Sequence, residues 1–362
     1  MSNNIFNQYK MEIIIAPIHQ TFFSGKIWMG LDIEKIKQNL IALNAEYKVQ
    51  IIDFSVIANN YSLIPQNAIL FYTASYSENY QQYIKDIILD FSISRPDVVL
   101  LPNLDQLFSF ENKGYQELVK RRLNIENVKG KYYGDLDAFL KDDQKTTTPF
   151  VFKTLKGAMS SGVVLIKSIE QLMALDSQYK KMSFIEKLKY LKRERAKTNT
   201  SNSDVLNLKP NSNYSSVNFK EFFSKRNPFI VQNFVPNLEC DYKVLVFGAK
   251  YYVLKRDIRE NDFRASGSGK FKWVKPPTEI LDYACEIQCQ IKAPIISLDL
   301  GFDSKKTVHL FEFQGIGFGP LTLIKSTSFF SKTGDNWDEK QQESNLEFEY
   351  ANAIHYHIQK AK

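Results

Sequence analysis

Cysteine is scarce in this chain, with three residues in 362: Cys240, Cys285 and Cys289. That is too few for a disulfide framework. Cys285 and Cys289 have the i, i+4 spacing of one helix face but no His or Cys neighbours to complete a metal site, so all three read as buried thiols. Histidine is nearly as rare, and His19, His309, His355 and His357 form no triad-like or metal-like set; the last two fall where an exposed C-terminal helix is expected. No apolar run approaches the roughly 20 residues that cross a bilayer. The opening MSNNIFNQYK lacks the apolar stretch and small-residue cleavage site of a signal peptide, which points to the cytoplasm. Met11, directly ahead of the first strand, is an alternative start. No Gly-x-Gly-x-x-Gly follows that strand, so dinucleotide binding is unsupported. Neither a nucleic-acid recognition motif nor an internal repeat is present.

What the chain has is core-forming material, 44% hydrophobic and 14% aromatic, together with a formal charge of +7 and a pI near 8.9. It can fold into two or three lobes around one site, as a monomer or homodimer. The positive balance suits an anionic ligand such as a nucleotide, a phosphorylated sugar or a glycan.

The pattern along the chain is α/β. MEIIIAPI reads as a buried strand, followed by a loop containing Gly25 and Gly30, then by DIEKIKQNLIAL, whose Ile33, Ile36, Leu40 and Leu43 share one helical face. YKVQIIDF, AILFYTAS and DVVLLPN are further strands, and YQQYIKDIILDF is a helix between the last two. Beyond residue 111, KGYQELVKRRL is a short helix, and FVFK and VVLIK are strands joined by a small-residue loop. A Lys-, Ser- and Asn-rich insertion runs from about 176 to 227. Its Phe184, Leu188 and Leu191 form an apolar stripe beside Lys187, Lys189, Lys192, Arg193 and Arg195. A solvated, locally packed helix is one reading; peripheral contact with an anionic glycan or lipid is the other. FIVQNFV, YKVLVFG and KYYVLKR are strands, the last two forming a hairpin at Gly248. A Pro-initiated helix follows, then the strands PIISLDLGF and TVHLFEFQ.

Three segments carry chemistry. In FKTLKGAMSSGVVL, Lys153 ends the incoming strand, and Gly157, Ala158, Ser160, Ser161 and Gly162 either let backbone N–H groups approach an anion closely or form an ordinary turn between strands. In KYYVLKRDIRENDFRASGSGK, strand alternation puts Tyr252, Leu254 and Arg256 on one face and Tyr251, Val253 and Lys255 on the other, with Arg259 and Arg264 in the loop beyond. Cations there could stabilise charge on a transferring group, or simply be a solvated turn. In HLFEFQG, Glu312 and Gln314 project from one face, with Phe311 and Phe313 on the other. With Asp299 on the preceding strand they could form an oxygen-donor set suited to Mg²⁺, or simply be outward-facing positions of a half-exposed sheet.

In this order the segments resemble the ATP-grasp superfamily, and within it the branch of glutathione synthetase and the ribosomal-protein glutamate ligase. The resemblance covers roughly residues 100 to 325. It implies an N-terminal Rossmann-like α/β domain over 1–111, a lid subdomain over 112–235 carrying the insertion, and a C-terminal α+β lobe over 236–362 that bears the metal and phosphate site. ATP would be held by Lys113, Lys153 and the loop Gly157, Ser160, Ser161 and Gly162. The adenine hinge would be Gln232, Asn233, Phe234 and Val235, with Asp241 opening the next strand. Asp299, Glu312 and Gln314 would hold one or two Mg²⁺ ions, Mn²⁺ being an alternative, and Arg256, Arg264 and Lys255 would act in catalysis.

This sequence departs from the family pattern in several places. Asn233 stands where Glu is usual, Lys243 where Arg is usual, and Ser266 and Gln314 where Asn is usual; GIGFGPL replaces the small and proline residues that usually follow. The implied reaction joins a small-molecule or glycan carboxylate to an amine or thiol through an acyl phosphate, releasing ADP and phosphate, in small-metabolite or surface-polysaccharide biosynthesis. A peptide or protein amino-acid ligase and a non-catalytic ATP-binding module are the alternatives.

Overall fold

The computed structural model describes residues 11–26, 29–125, 128–157, 161–179, 226–260 and 262–361. The basic stripe 184–195 and Ser160 lie outside them. The described chain divides into two compact units, the first formed by 1–130, 155–162 and 234–362 and the second by 131–154 and 163–233.

In the first unit, β1 (Glu12–Ala16), β4 (Lys48–Ile51), β5 (Ile69–Tyr72) and β6 (Val99–Leu101) form a parallel sheet in the order β4-β1-β5-β6. β1 is apolar at every inner position because it is central and covered on both faces. Ile13 and Ile15 enter one core cluster, and Ile14 and Ala16 enter another. The loop expected around Gly25 and Gly30 is instead a short hairpin, β2 (Phe22–Lys26) with β3 (Met29–Leu31).

Helix α1 (Ile33–Leu43) starts at Asp32, whose side chain accepts from Lys35 N, and buries Ile36 and Leu40 as the spacing predicts. Each buried side chain of that kind contributes about 1.5–3 kcal/mol. α2 (Phe54–Asn59) and α3 (Glu78–Ser94) cover the opposite face of the sheet through Phe54, Ile57, Ile84, Ile88 and Phe91.

A second, antiparallel sheet contains β11 (Cys240–Phe247), β12 (Lys250–Asp257), β13 (Phe271–Lys272), β14 (Ile295–Phe302), β15 (Val308–Gln314), β16 (Ser328–Thr333) and β17 (Asn336–Gln341). Its order is β15-β14-β11-β12-β16-β17, with β13 also paired to β12. α8 (Thr278–Ile291) packs on the face carrying Tyr242, Val244, Val246, Tyr251, Val253 and Leu298. α4 (Leu104–Ser109), α5 (Lys113–Arg122) and the single turn α9 (Leu321–Ile324) complete this part of the unit together with α10 (Leu346–Ala361).

The C-terminal helix is not exposed as expected. Ala351, Ala353, Ile354 and Ile358 of α10 are fully or almost fully buried in the same cluster as Ile13, Ile15 and Leu40. His355 belongs to that packing, its Nδ1 lying 2.8 Å from the Tyr47 hydroxyl. Tyr47→Phe removes this bond and is expected to cost about 0.5–1.5 kcal/mol, read as a lower urea midpoint with an unchanged slope. The thiols also differ from expectation: Cys289 is exposed, and Cys240 and Cys285 are half-buried.

The second unit contains β7 (Gly130–Tyr133), which starts at the boundary residue, α6 (Leu136–Lys141), β8 (Phe150–Thr154), β9 (Val163–Ile166), α7 (Ile169–Tyr179) and β10 (Phe229–Asn233). Its sheet has the order β7-β10-β8-β9. The core of the unit is an aromatic cluster of Tyr133, Phe139, Phe150, Phe152 and Phe229.

Candidate active site

The large antiparallel sheet carries a row of charges on the face opposite α8, fixed by strand register. Asp241 pairs with Arg256 across β11 and β12, Lys243 pairs with Asp299 across β11 and β14, and Asp299 pairs with Glu312 across β14 and β15. Directly paired residues project from the same face. Apolar residues of this face, Leu245, Phe247 and Tyr252, enter the core at one end, and the charged side chains occupy the other.

Arg256 is almost fully buried between two carboxylates. Nε and Nη2 donate to Asp241 at 2.6 and 2.8 Å, and Nη2 lies 2.9 Å from Asp299 Oδ2. Lys243 Nζ is 3.5 Å from Asp299 Oδ1, an oxygen that is buried and accepts no hydrogen bond among the described residues. Burial works against ionisation of Asp299, but Arg256 and then Lys243 outweigh it and hold this carboxyl down at about 2. Burial pushes Asp241 up to about 6, because Arg256 is shared and the like charge of Asp299 adds to the burial.

Lys255 alternates to the other face of β12, where Asp257 is 3.8 Å away. The structure therefore does not bring Lys255 together with Arg256. Arg264 lies in the following loop, its Nε 2.9 Å from both Asp262 oxygens and its Nη2 2.6 Å from Oδ2.

β15 departs from simple alternation. Asp299 pairs with Glu312 but Leu300 pairs with Leu310, so Phe311 is an extra residue in a bulge. Phe313 enters the core beneath α8, as expected for the face opposite Glu312. Phe311 instead covers Gly301, where an added Cβ would stand 2.7 Å from the ring. The expectation that both phenylalanines share the face opposite Glu312 fails at this bulge. Gln314 Nε2 donates to Glu312 Oε1 at 3.0 Å.

Lys113 is the first residue of α5, with Asn112 as its N-cap. A cation is electrostatically disfavoured at a helix N-terminus, and here its ammonium has other partners. Lys113 Nζ donates to Gly157 O at 2.6 Å and is 3.9 Å from Glu312 Oε1, while Lys113 N donates to Leu155 O. One side chain thus ties the small-residue loop to the carboxylate-amide pair.

Gly157 has φ +131°, and a Cβ there would stand 2.6 Å from Ser161 O. Gly157→Ala is expected to cost the loop about 1–3 kcal/mol, detected as faster amide exchange over residues 155–162. Gly162 is also left-handed, at φ +72°, and Ser161 is exposed.

In the second unit, Lys153 is buried on β8 and Gln232 is buried on β10, while Asn233 ends β10 exposed. Phe234 and Val235 follow in the first unit half-buried, Phe234 meeting Phe263 edge-on at 5.9 Å.

Sequence reasoning missed Gln106. It completes a capping box with Asn103, donates to Ile295 O at 2.7 Å and abuts Gly315, leaving no room there for a Cβ. The signal was present in NLDQ, an N-cap residue followed three positions later by Gln. It also missed that Asp241 is the partner of Arg256, which depends on register.

No protein-family model matches the chain, and no curated protein matches it in sequence. Among solved structures, a D-cycloserine synthetase aligns over 95% of this chain and 99% of its own at 10% identity, with a TM-score of 0.50. A macrocyclase from Microcystis aeruginosa, bound with its precursor peptide, aligns over 97% and 100% at 12% identity and a TM-score of 0.48. A RimK domain ATP-grasp protein from Sphaerobacter thermophilus aligns over 85% and 92% at 7% identity and a TM-score of 0.44. With a parallel N-terminal sheet, an antiparallel charge-bearing sheet and a smaller sheet unit that falls between these two in sequence, the chain has the ATP-grasp fold.

Proposed function

We propose that this protein is an ATP-dependent carboxylate–amine ligase that works through an acyl phosphate and releases ADP and phosphate. The observation that carries the reading is the clustering around Lys113: one ammonium reaches both the carbonyl of the small-residue loop and the Glu312 carboxylate, which is itself held by Gln314. A residue from each of three separated sequence segments meets at one point, as positioning of a phosphoryl group between cations and a loop requires.

The donor set fits magnesium in chemistry. Glu312, Asp299 and the Gln314 amide are hard oxygen donors on one face, and Asp299 Oδ1 is buried without a hydrogen bond among the described residues. Among the described residues no group of three or more His, Cys, Asp or Glu could hold a metal ion. Glu312, Asp299 and Gln314 would therefore hold Mg²⁺ jointly with phosphate oxygens, and the ion would neutralise charge on the transferring group.

Arg256 has a different part from the one the resemblance implies. Saturated by Asp241 and Asp299, it positions Asp299 and stiffens the sheet beneath the site. Lys113 is the cation in the first unit whose ammonium reaches both loop and carboxylate. Lys153 and the residues 232–235 are proposed for ATP on the resemblance alone. The substrate carboxylate attacks the γ-phosphate, ADP leaves, and the amine then displaces phosphate from the acyl phosphate.

The test is turnover with ATP and Mg²⁺ against pooled carboxylates and amines. ADP with phosphate, dependent on both organic substrates, is expected. AMP with pyrophosphate, or ADP release that ignores the organic substrates, would overturn the reading.

A further inference from the structure

The first unit has a cavity of about 30 Å³ lined by Phe23, Tyr72, Thr73, Leu101, Gly315 and Ile316 among others. On the same measure one water needs roughly 10–15 Å³, so the space takes two or three heavy atoms. Its location is informative for two independent reasons. Tyr72 and Leu101 are the last residues of β5 and β6, and Thr73 lies just beyond, so the cavity opens at the carboxyl ends of the parallel strands, where open α/β sheets bind ligands. Gly315, which directly follows Gln314, lines the cavity, so the lining begins one residue beyond the carboxylate-amide pair.

Among the described residues that line it, none is charged. Of its polar groups, Thr73 Oγ1 already accepts from Phe23 N, and Gln106 Nε2 already donates to Ile295 O. The Tyr72 hydroxyl is buried and has no hydrogen-bond partner among the described residues. Gly315 and Gly317 cannot carry side chains here, since a Cβ on either would overlap Gln106 or Phe110, and this keeps the segment beside the cavity closely packed.

We infer that this cavity receives the small aliphatic group of the carboxylate substrate, of methyl to isopropyl size, while the carboxyl group points toward Gln314. The inference rests on the ligase reading only in taking the occupant to be a carboxylate. It disfavours a glycan acid or a dicarboxylate side chain in this subsite, because none of the described lining residues compensates a buried charge.

The experiment is ligand-observed saturation-transfer NMR on the full chain with Mg²⁺ and ATP present, using isobutyrate, succinate and benzoate as probes. Isobutyrate is expected to bind in preference to the other two. Phe23→Ala, at a half-buried position of a short hairpin, should enlarge the cavity and improve benzoate relative to isobutyrate by at least roughly tenfold, the lower end of what a pocket volume change supplies. Thr73→Ile should fill the cavity and abolish isobutyrate binding. Succinate binding as well as isobutyrate, or the same order of preference in both variants, would overturn the inference. If the isobutyrate preference holds while no carboxylate and amine together release ADP, the ligase reading fails and the cavity assignment stands. ADP release as fast with dicarboxylates as with aliphatic acids has the opposite meaning.

Discussion

Glu312→Ala is expected to lower ADP formation on the order of 10²–10³-fold, the range seen when one group stabilising transferred charge is removed. Glu312 is approached by the Lys113 ammonium at 3.9 Å and accepts from Gln314, so its loss leaves two donors facing space that one carboxylate filled. Stability should change little. The pair is long at 3.9 Å, and Lys113 keeps its hydrogen bond to Gly157 O when Glu312 is removed, so the cation is not left without a partner. Steady-state ADP release and a urea midpoint, measured on the same preparation, check both halves. Full turnover by the variant would remove Glu312 from the site. Lost turnover with a collapsed midpoint would show a structural role instead. Glu312→Gln separates charge from shape, since it keeps an oxygen donor at the same reach.

Arg256→Met should have the opposite profile, with stability as the first casualty. The substitution leaves Asp241 and Asp299 buried without the cation that both contact, and breaking a buried pair in this way costs about 3–5 kcal/mol. That is a large share of the roughly 5–15 kcal/mol that folded domains have.

The pH dependence supplies a signature. In the native protein Asp299 is held at about 2, below its ordinary 3.8, so its contribution is complete above pH 4 and is lost only on acidification toward 2. Asp241, raised to about 6, binds its proton more tightly folded than unfolded, so its contribution falls as pH rises from about 4 through 6 and is level thereafter. Without Arg256 both carboxyls move upward. The folded variant then binds more protons than the unfolded chain above pH 6, so its stability should rise as pH is lowered from 8 to 6, where this pair leaves the native protein level. Thermal midpoints across that interval test the assignment, and a flat profile for the variant would count against it.

Much of the architecture was legible because its signals are local. The apolar runs of β1, β5, β8, β11, β12, β14 and β15 and the helical spacing of α1 and α8 are one-dimensional patterns, and each became the element expected. β17 was not legible: NWDEKQ is rich in residues that disfavour strands and forms an edge through pairing with β16 after a turn at Gly334, which has φ +60°. The hairpin β2–β3 is short and glycine-interrupted, and it read as a loop for that reason.

Asp299, Glu312 and Gln314, singled out from strand period, and Lys113, from the resemblance, lie near one another in the structure. The partners of Arg256 could not be named in advance, since Asp241 faces it only by virtue of the β11–β12 register. The bulge at Phe311 was equally hidden, because one extra residue leaves no mark on composition and yet moves a ring from one face of the sheet to the other.

The docking of α10 on the N-terminal sheet also governs how the chain can be made. Asp32 N donates to Glu347 Oε1 across 315 positions of sequence, and Ile13, Ile15 and Leu40 share a cluster with Ala351, Ile354 and Ile358. The face of the first sheet that α1 begins to cover is therefore closed only once residues 346–361 have also been made. Contacts of such long sequence separation close late and slow folding.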